Sequence, residues 1–352
     1  MDQKRDAHMD EVNKKFPGAI KLGSDPSLKI QRIPTGIDSV DYLLDGGLAR
    51  NRYLELYGSY NVGKTYLTFR ALGNAQRLGL GACFADVEGT FDPRFAEKAG
   101  IDLRRLRLIQ QEDAEQVIDM AEVQIRSGLY DVIGIDSIAA LSPRSEVDSS
   151  MGDRSMGMEQ AKLMSKALRK LTVANTDSAI IFINQTRQAV GASAFAKQTT
   201  TSGGRSMAFY AGTRLELNRT ENIKAQRKLI NPNTGDVIKK ASTVGHRVLM
   251  RVEKDKTGAA IAGAEGTFVY DYINGGIDAT EDLMYLGRRT GLIKKSGSKW
   301  WVVGYEEEKQ SSRNKFHKWL LRNVAVSDEL RTDIFNTAEP DTIIEDKDED
   351  DD

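Results

Sequence analysis

The octapeptide Gly58-Ser59-Tyr60-Asn61-Val62-Gly63-Lys64-Thr65 decides the fold of this chain. It fits the pattern G-x-x-x-x-G-K-[ST], in which glycines let successive backbone N–H groups curl around phosphates at the start of a helix. The pattern assigns Lys64 to the β- and γ-phosphates of a nucleotide and the Thr65 hydroxyl to a magnesium ion. Residues 53–57 are typical of a strand and residues 64–78 of a helix, which is the context that this motif requires. The sequence therefore predicts a nucleoside triphosphate site.

Strands and helices alternate on both sides of the octapeptide. Further strands are predicted at residues 81–87, 130–136 and 179–183, and helices at 114–127 and 158–173. This order indicates parallel βαβ units with helices on both faces of an α/β sheet. The later apolar runs 214–218, 247–252 and 267–272 have no helices between them, so we expect antiparallel strands there.

Two acids follow predicted strands at the edge where phosphates would bind. Asp136 ends one strand, at the position from which a carboxylate holds the water shell of Mg²⁺. Glu88 follows another and is the candidate that activates the attacking water. Asp86 is its competitor, and the alternative interpretation of Glu88 is an acid that only begins a helix.

Two stretches are too long for plain connections between the predicted strands and helices. Residues 142–157 contain Met151, Arg154 and Met156, and residues 187–205 contain Gly191, Phe195, Lys197, three successive threonines and Gly203-Gly204. Such residues bind phosphates and stack on bases, so both stretches are candidates for single-stranded nucleic acid, with a solvated surface loop as the alternative. Asn184 and Gln185 precede the second stretch, where an amide can sense the γ-phosphate and pass its presence onward.

Composition and charge restrict the class of protein. Of 352 residues, 40% are hydrophobic and 29% charged, and the single cysteine, Cys83, excludes a disulfide framework and a cysteine-based zinc site. We expect a soluble, cytoplasmic protein without a membrane partner, because no apolar run approaches the ~18 residues that cross a bilayer. Residues 339–352 carry nine acids and one lysine, whereas residues 288–322 carry ten lysines and arginines against three glutamates. This segregation favours a polyanionic partner and a competing tail; a solvated basic face with a solubilising tail is the alternative.

The character of the sequence changes after Gly275-Gly276. Asp278 has the spacing of a capping box and begins a predicted helix that ends near residue 290. Residues 292–303 predict a hairpin around Gly297, and Ser312 precedes a last predicted helix. Trp300, Trp301 and Trp319 all fall in this part of the sequence. We therefore expect a small lobe with its own core here.

Together these stretches resemble the RecA family of homologous-recombination ATPases from bacteria and bacteriophages. The resemblance runs in order over residues 16–323 and is carried by residues 58–65, EGTFDP at 88–93, DVIGIDS at 131–137, MGDRSMG at 151–157, FINQ at 182–185 and TTTSGG at 199–204. It implies a RecA-type P-loop NTPase core with a mostly parallel twisted sheet. It also implies an ATP-dependent recombinase that forms helical filaments on single-stranded DNA, exchanges strands in recombination, DNA repair and the SOS response, and hydrolyses ATP when DNA is bound.

The resemblance assigns roles to individual positions. The residues that it implies for ATP binding are 58–65, Tyr66, Asp92, Phe95, Asp136 and Ser137. The residues that it implies for Mg²⁺ binding are Thr65 and Asp136. The catalytic set that it implies is Glu88, Lys64, the γ-phosphate sensor Gln185, and the pair Lys254 and Lys256, which reaches ATP on the neighbouring subunit. For DNA it implies Met151, Arg154, Met156, Gly157 and Lys162 in a first loop, and Arg187, Gly191, Phe195, Lys197, Thr200, Gly203, Gly204 and Arg205 in a second.

The family also implies a domain organisation. A polymerisation arm (residues 1–28) precedes the ATPase core (29–272), which is followed by a lobe that gathers double-stranded DNA (273–330) and an acidic disordered tail (331–352). Single-strand-binding and mediator proteins are further implied partners, and a nucleoid location follows from the DNA substrate. The chain departs from the family at residues 59–62, where Pro-Glu-Ser-Ser is usual, and at Tyr66, where threonine is usual. We still expect ATP to bind, since backbone amides make most of the phosphate contacts.

Two other interpretations share parts of this pattern. A RecA-fold replicative helicase has the same phosphate loop and DNA loops but closes into a ring; the Lys254/Lys256 pair and the absence of a separate collar domain argue against it. An ATP-switched regulatory scaffold would bind protein partners and would lack DNA-dependent ATPase activity.

Overall fold

The computed structural model describes residues 2–111, 113–141, 156–188, 199–203, 205–230, 237–273 and 275–337. The chain divides into two compact units, residues 1–31 and 32–352, so the boundary lies three residues later than the expected end of the arm. The first unit contains helix α1 (Asp2–Lys15). Asn13 fixes the chain that follows this helix, because its side chain both donates to the carbonyl of Ile20 and accepts from its N–H.

The second unit contains the strands and helices that form the core and the C-terminal lobe. Its strands are β1 (Arg32–Ile33), β2 (Leu48–Ala49), β3 (Tyr53–Gly58), β4 (Ala82–Asp86), β5 (Arg107–Ile109), β6 (Val132–Asp136), β7 (Ala179–Gln188), β8 (Thr199–Thr201), β9 (Thr213–Ile230), β10 (Val237–Asp255), β11 (Glu265–Asp271), β12 (Gly276–Ile277), β13 (Ile293–Ser296) and β14 (Lys299–Val302). Its helices are α2 (Asp38–Leu43), α3 (Lys64–Arg77), α4 (Pro93–Lys98), α5 (Ala114–Ser127), α6 (Met156–Ala174), α7 (Arg205–Tyr210), α8 (Ala279–Arg289), α9 (Arg313–Arg322) and α10 (Val324–Thr337).

One large mixed sheet organises the core in the order β12-β11-β10-β9-β3-β7-β6-β4-β5, and β8 pairs with β7. The six strands from β9 to β5 run parallel to one another, whereas β9 to β12 are antiparallel. The predicted mostly parallel α/β sheet is confirmed. The chain leaves β3, which lies between β7 and β9, through α3 and returns at β4, so that β7 and β6 stand between these two strands.

Apolar side chains alternate between the two faces of this sheet. Ile181 of β7 packs with Leu67 and Leu72 of α3 in the core cluster on one face. Phe182, the next residue, packs with Val117 of α5 and Leu168 of α6 on the other. Helices therefore cover both faces, as the alternating pattern predicts.

The hairpin β9–β10 is far longer than the predicted runs 214–218 and 247–252. β9 pairs with β3 only over residues 213–217, and β10 pairs with β11 only over residues 245–251. Beyond these positions the two strands pair with each other alone, through Ile230 and Val237. The apolar runs that predicted these strands lie at their inner ends. The outer half mixes lysines and arginines with scattered apolar residues and has no regular alternation, so the pattern did not predict it.

The C-terminal lobe has its own core. Leu283, Ile293, Phe316 and Leu330 are buried there, and Trp300 and Trp319 pack against them. The predicted hairpin and both predicted helices are present.

Helix α10 corrects the expected start of the tail at residue 331. The helix continues to Thr337, and it buries Leu330 and Ile334 in the lobe. Arg331 donates to the Asp38 carboxylate of α2 at 2.9 Å, which ties this helix to the core. The rest of the expected tail, residues 338–352, lies outside the described residues. Among the helices that the structure describes, none has the length and apolar character to cross a membrane.

Candidate active site

The octapeptide forms the turn between β3 and α3. Two of its glycines are required by backbone geometry: Gly63 has φ 95°, and a Cβ at Gly58 would lie 2.1 Å from the carbonyl oxygen of Leu217 on β9. Asn61 also has a left-handed φ of 57°, and the neighbouring Tyr60 side chain is exposed. The turn thus has the tight, glycine-dependent backbone that is typical of a phosphate loop at the start of a helix.

Lys64 is the first residue of α3, and its ammonium group folds back over the turn. Nζ donates to the carbonyls of Gly58 at 3.1 Å and Ser59 at 2.7 Å. Burial lowers the pKa of Lys64, while the nearby charges of Asp136 and Glu88 oppose that shift. The ammonium group is therefore held against the backbone of the turn itself.

Thr65, near the start of α3, contacts Asp136 at the end of β6. The Thr65 hydroxyl donates to Oδ2 of Asp136 at 2.7 Å. Burial raises the pKa of Asp136 to about 6, although the bond from Thr65 acts in the opposite direction. A hydroxyl and a carboxylate at this separation are the hard oxygen donors that Mg²⁺ prefers, so these two residues fit the expected metal.

Glu88 lies where three parallel strands end. One of its oxygens, Oε1, accepts from the Ser137 hydroxyl, and from Nε2 of Gln185 at 3.1 Å. Ser137 directly follows β6, and Gln185 lies on β7. The peptide bond between Asp136 and Ser137 is cis. The carboxyl ends of the strands thus bring together Glu88, Ser137 and Gln185, which are far apart in the sequence.

The carboxylate of Asp86 has different hydrogen-bond partners from that of Glu88. It is buried, and its carboxylate accepts from the backbone N–H of Thr90 and Phe91 and from the Gln110 side chain. It therefore holds the loop that carries Glu88, which leaves Glu88 as the acid beside the phosphate loop.

A cavity of about 480 Å³ adjoins the start of α3 on the side of β10 and β11. Phe95 and Tyr66, both expected nucleotide residues, line it, and their rings lie 5.8 Å apart. Asp92 caps α4 by accepting from the N–H of Arg94 at 2.8 Å. Sequence reasoning missed three aromatic lining residues that come from distant strands and carry no motif: His246, Tyr270 and Tyr272.

A buried charge network connects the end of β7 with β10. The Asn184 amide donates to Oε1 of Glu55 at 2.8 Å and to the carbonyl of Ser202 at 3.0 Å. Arg214 donates to the other oxygen of Glu55 and, at 2.7 Å, to Glu253. Glu55 is fully buried, so its charge depends on these partners. The available signal was one acid inside the apolar run YLELY.

Lys254, next to Glu253, contacts the helix that follows the second long stretch. Its Nζ donates to the carbonyls of Ala208 and Ala211 at 2.6 Å, and burial together with Lys256 and Arg214 lowers its pKa. Nζ of Lys256 lies 5.7 Å from the centre of the Phe209 ring. These contacts are at the end of α7 and not at the phosphate loop of the same chain.

The expected DNA residues are only partly within the described chain. Met156, Gly157 and Lys162 lie in α6, so the first stretch ends in a helix that starts two residues before the prediction. Arg187 pairs with Thr200 where β7 meets β8, and Arg205 begins α7, so the second stretch is not wholly a loop. Gly203 has φ 83° beside Ile138 and Met164. The remaining positions, Met151, Arg154, Gly191, Phe195, Lys197 and Gly204, lie outside the described residues.

A phosphate loop whose lysine, hydroxyl and carboxylates converge at the ends of neighbouring parallel strands defines a P-loop ATPase. Residues 3–272 match the sequence profile of the RecA N-terminal domain. The RecA protein of Bifidobacterium longum is 36% identical over 343 residues, which cover 95% of this chain and 81% of that protein. The RecA proteins of Mycolicibacterium smegmatis (38% over 331 residues; 93% and 89%) and Leifsonia xyli (38% over 320 residues; 90% and 83%) are similarly related.

The chain therefore belongs to the RecA family. It is an ATP-dependent DNA recombinase that acts in recombination and repair, with DNA-dependent ATPase activity, and it binds DNA and forms filaments.

Proposed function

We propose that ATP is hydrolysed at the β3–α3 turn, with Glu88 as the group that takes a proton from the attacking water. The observation that supports this most is that Glu88 accepts from two neutral donors, Ser137 and Gln185, which leaves its charge free for that proton. Lys64 binds the outer phosphates, and Tyr66 and Phe95 hold the base. Thr65 and Asp136 would hold Mg²⁺, which neutralises phosphate charge when bound.

Gln185 connects the nucleotide to the DNA-binding stretch. Its side chain contacts Glu88, and the adjacent Asn184 bonds to Ser202 at the far end of the second stretch. A γ-phosphate that draws Gln185 away from Glu88 would move β7 and the chain paired with it. In this proposal ATP orders the second stretch for single-stranded DNA, and hydrolysis releases it.

Lys254 and Lys256 act on the ATP of the neighbouring subunit in a filament. In their own chain they pack on the end of α7, at a distance in sequence and fold from the phosphate loop. A cation supplied by the next subunit stabilises the charge that develops on the phosphates, so ATP would bridge subunits and its loss would loosen the filament.

The C-terminal lobe is proposed as a surface for double-stranded DNA. Cations lie over its tryptophan rings: Lys309 is 4.6 Å from the centre of the Trp301 ring, and Lys295 is 5.8 Å from that of Trp300. Cations that phosphates neutralise are the main source of sequence-independent affinity for duplex DNA. With such a substrate the protein would work at the nucleoid in the cytoplasm, where single-strand-binding and mediator proteins are candidate partners.

Electron microscopy of the whole 352-residue chain tests the proposal. We expect extended helical filaments on single-stranded DNA with Mg²⁺ and a slowly hydrolysed ATP analogue, and their loss in Lys64→Ala. Lys254→Ala should retain nucleotide binding by the single subunit and lose filaments. Closed rings, or filaments that persist in both variants, would contradict an ATP site shared between subunits.

A further inference from the structure

Tyr66 of α3 contacts both the cavity beside that helix and the strand that leads into the C-terminal lobe. The residue is buried and lines the cavity in which a nucleotide base would bind. Its hydroxyl accepts from the backbone N–H of Ile277 in β12 at 3.3 Å. The chain departs from the usual threonine of its family at this position, and a threonine side chain is too short to make both contacts.

The Tyr66 side chain touches both strands of the β11–β12 pair. Its ring lies 5.0 Å from that of Tyr270 on β11, at an interplanar angle of 89°. Tyr270 is in register with Ile277, the residue that donates to the Tyr66 hydroxyl. One side chain of α3 therefore holds the two strands at the same level of the sheet, and edge-to-face packing together with a hydrogen bond fixes the orientation of its ring.

Gly276, the other residue of β12, leaves room for this hydroxyl. A Cβ at Gly276 would collide with Oη of Tyr66 and lie 3.1 Å from Cζ. The φ angle of Gly276 is outside the left-handed region, so the backbone of β12 does not itself require glycine. The contact with Tyr66 is therefore the steric reason for a glycine here. The preceding Gly275 differs, because its φ of 70° favours glycine whatever surrounds it.

The residue that directly follows β12 anchors the helices of the lobe. The carboxylate of Asp278 accepts from the N–H groups of Thr280 and Glu281 at the start of α8. The same carboxylate bonds to His317 of α9 at 3.1 Å. A displacement of β12 would therefore be transmitted to both helices through Asp278.

We infer that Tyr66 couples occupation of the nucleotide site to the attachment of the C-terminal lobe, an inference that rests on the proposed ATP site. A base that packs on the rings of Tyr66 and Phe95, which lie 5.8 Å apart, restricts the Tyr66 ring and so favours one position of β12. By linkage, a lobe held in that position raises the affinity for ATP by the same factor. Because the link is one hydrogen bond, we expect this factor to be about two- to tenfold.

Hydrogen exchange of the whole chain, with and without a slowly hydrolysed ATP analogue, tests the coupling. The measurement is made without DNA, at a protein concentration at which light scattering detects no assembly. In the parent protein, the saturating analogue should slow exchange at the first amides of α3 and, by about two- to tenfold, at the amides of residues 277–283.

Tyr66→Phe retains the ring and removes the hydroxyl. At saturating analogue the response at α3 should remain and the response at residues 277–283 should be lost, while the dissociation constant rises by about two- to tenfold. Tyr53→Phe is the matched control, since Tyr53 is similarly buried, bonds through its hydroxyl to Thr172 at 2.9 Å and packs on the other face of the sheet. It should retain both responses.

Gly276→Ala tests the contact itself and does not depend on nucleotide. The added methyl group collides with the Tyr66 hydroxyl, so this change should lower the Tm of the parent protein by about 2–4 °C. When Tyr66→Phe is also present the shift should be at most about half as large, because the atom in closest contact is then absent. Gly275→Ala is the control: its strain lies in its own backbone, so Tyr66→Phe should not reduce its cost.

The outcomes separate this inference from the proposed function. Unchanged exchange at α3 in the parent protein would contradict the proposed ATP site and the inference with it. A response at α3 without one at residues 277–283 in the parent protein, or an undiminished response at 277–283 in Tyr66→Phe, would overturn the inference alone. Equal Tm shifts for Gly276→Ala with and without Tyr66→Phe would overturn it as well, since the hydroxyl would then not lie against β12.

Discussion

The carboxylates of Asp86 and Glu88 lie close together in the sequence and have different surroundings. Asp86 ends β4 and Glu88 follows two residues later. Asp86 is buried and accepts from three donors, whereas Glu88 is exposed and accepts from two neutral side chains. A carboxylate committed to backbone N–H groups serves to hold a loop. A carboxylate that neutral donors orient, such as that of Glu88, is available to accept a proton.

Glu88→Gln is expected to reduce DNA-stimulated ATP turnover by about 10²- to 10⁴-fold, the typical contribution of a general base, and to leave ATP binding and thermal stability near those of the parent protein. Turnover and nucleotide affinity are measured separately on the same preparation. Asp86→Asn is the comparison: it should lower stability as well, because it weakens acceptors for three donors. Equal losses of stability in the two variants would contradict the separation of roles.

Buried ion pairs join the strands around β3. Glu55 of β3 has no exposed surface, and Arg214 of β9 is its cationic partner and also contacts Glu253 of β10. The guanidinium also lies 4.8 Å from the centre of the Tyr57 ring. The network therefore links three strands beside the phosphate loop, and its stability depends on every charge having a partner.

Arg214→Leu is expected to lower the free energy of unfolding by about 3–5 kcal/mol, because it leaves the Glu55 carboxylate buried without its cation. Chemical denaturation measures this. Arg247→Leu provides the control, since Arg247 pairs with the largely exposed Glu221 and should cost at most about 1 kcal/mol. A loss below about 1 kcal/mol for Arg214→Leu would contradict the dependence of the buried Glu55 carboxylate on this cation.

The contact between α8 and α9 predicts a pH dependence of the lobe. His317 bonds to Asp278, the cap of α8, at 3.1 Å, and this bond raises the pKa of His317 above its ordinary value of 6.5. The folded state thus binds the proton more tightly than the unfolded state does. The resulting stability is fully present below pH 6.5 and is lost as pH rises through the higher folded pKa.

His317→Asn should therefore destabilise the lobe below pH 6.5, by up to about 1 kcal/mol, and have little effect near pH 9. The comparison must be between parent and variant at each pH, because the buried His246 acts with the opposite sign: burial lowers its pKa. Thermal unfolding of both proteins from pH 5.5 to 9 measures the difference. A difference that grows with pH would contradict the assignment.

Over the whole molecule, charge is divided between a basic body and an acidic end. Residues 1–338 carry a net charge of +7 and residues 339–352 one of −8. We expect the tail to screen the basic C-terminal lobe until Mg²⁺ or DNA displaces it.

Removal of residues 339–352 should therefore increase duplex uptake and lower the Mg²⁺ concentration at which uptake is half-maximal. Uptake is followed by anisotropy during a Mg²⁺ titration, with a chain in which the acids of the tail are replaced by their amides as the control for length. Unchanged uptake after removal would contradict screening by the tail.

The sequence by itself determined the chemistry of the site, because the phosphate loop and the acids Glu88 and Asp136 are local features that follow individual strands. It likewise predicted the parallel core and both lobe helices up to residue 322, each of which buries an apolar face with a readable period. The roles of individual site residues stay predictions.

The tertiary structure decided everything that depends on pairing between distant residues. The partners of Glu55 and the aromatic residues around the cavity beside α3 come from parts of the chain that are far apart in sequence, and no local pattern specifies them. Helix α10 differs, since Val326, Leu330 and Ile334 recur at helical spacing. That local signal was not used in the prediction, and the structure buries all three residues in the lobe. Local motifs encode backbone geometry and reactive groups, whereas burial and charge compensation exist only once the sheet has formed.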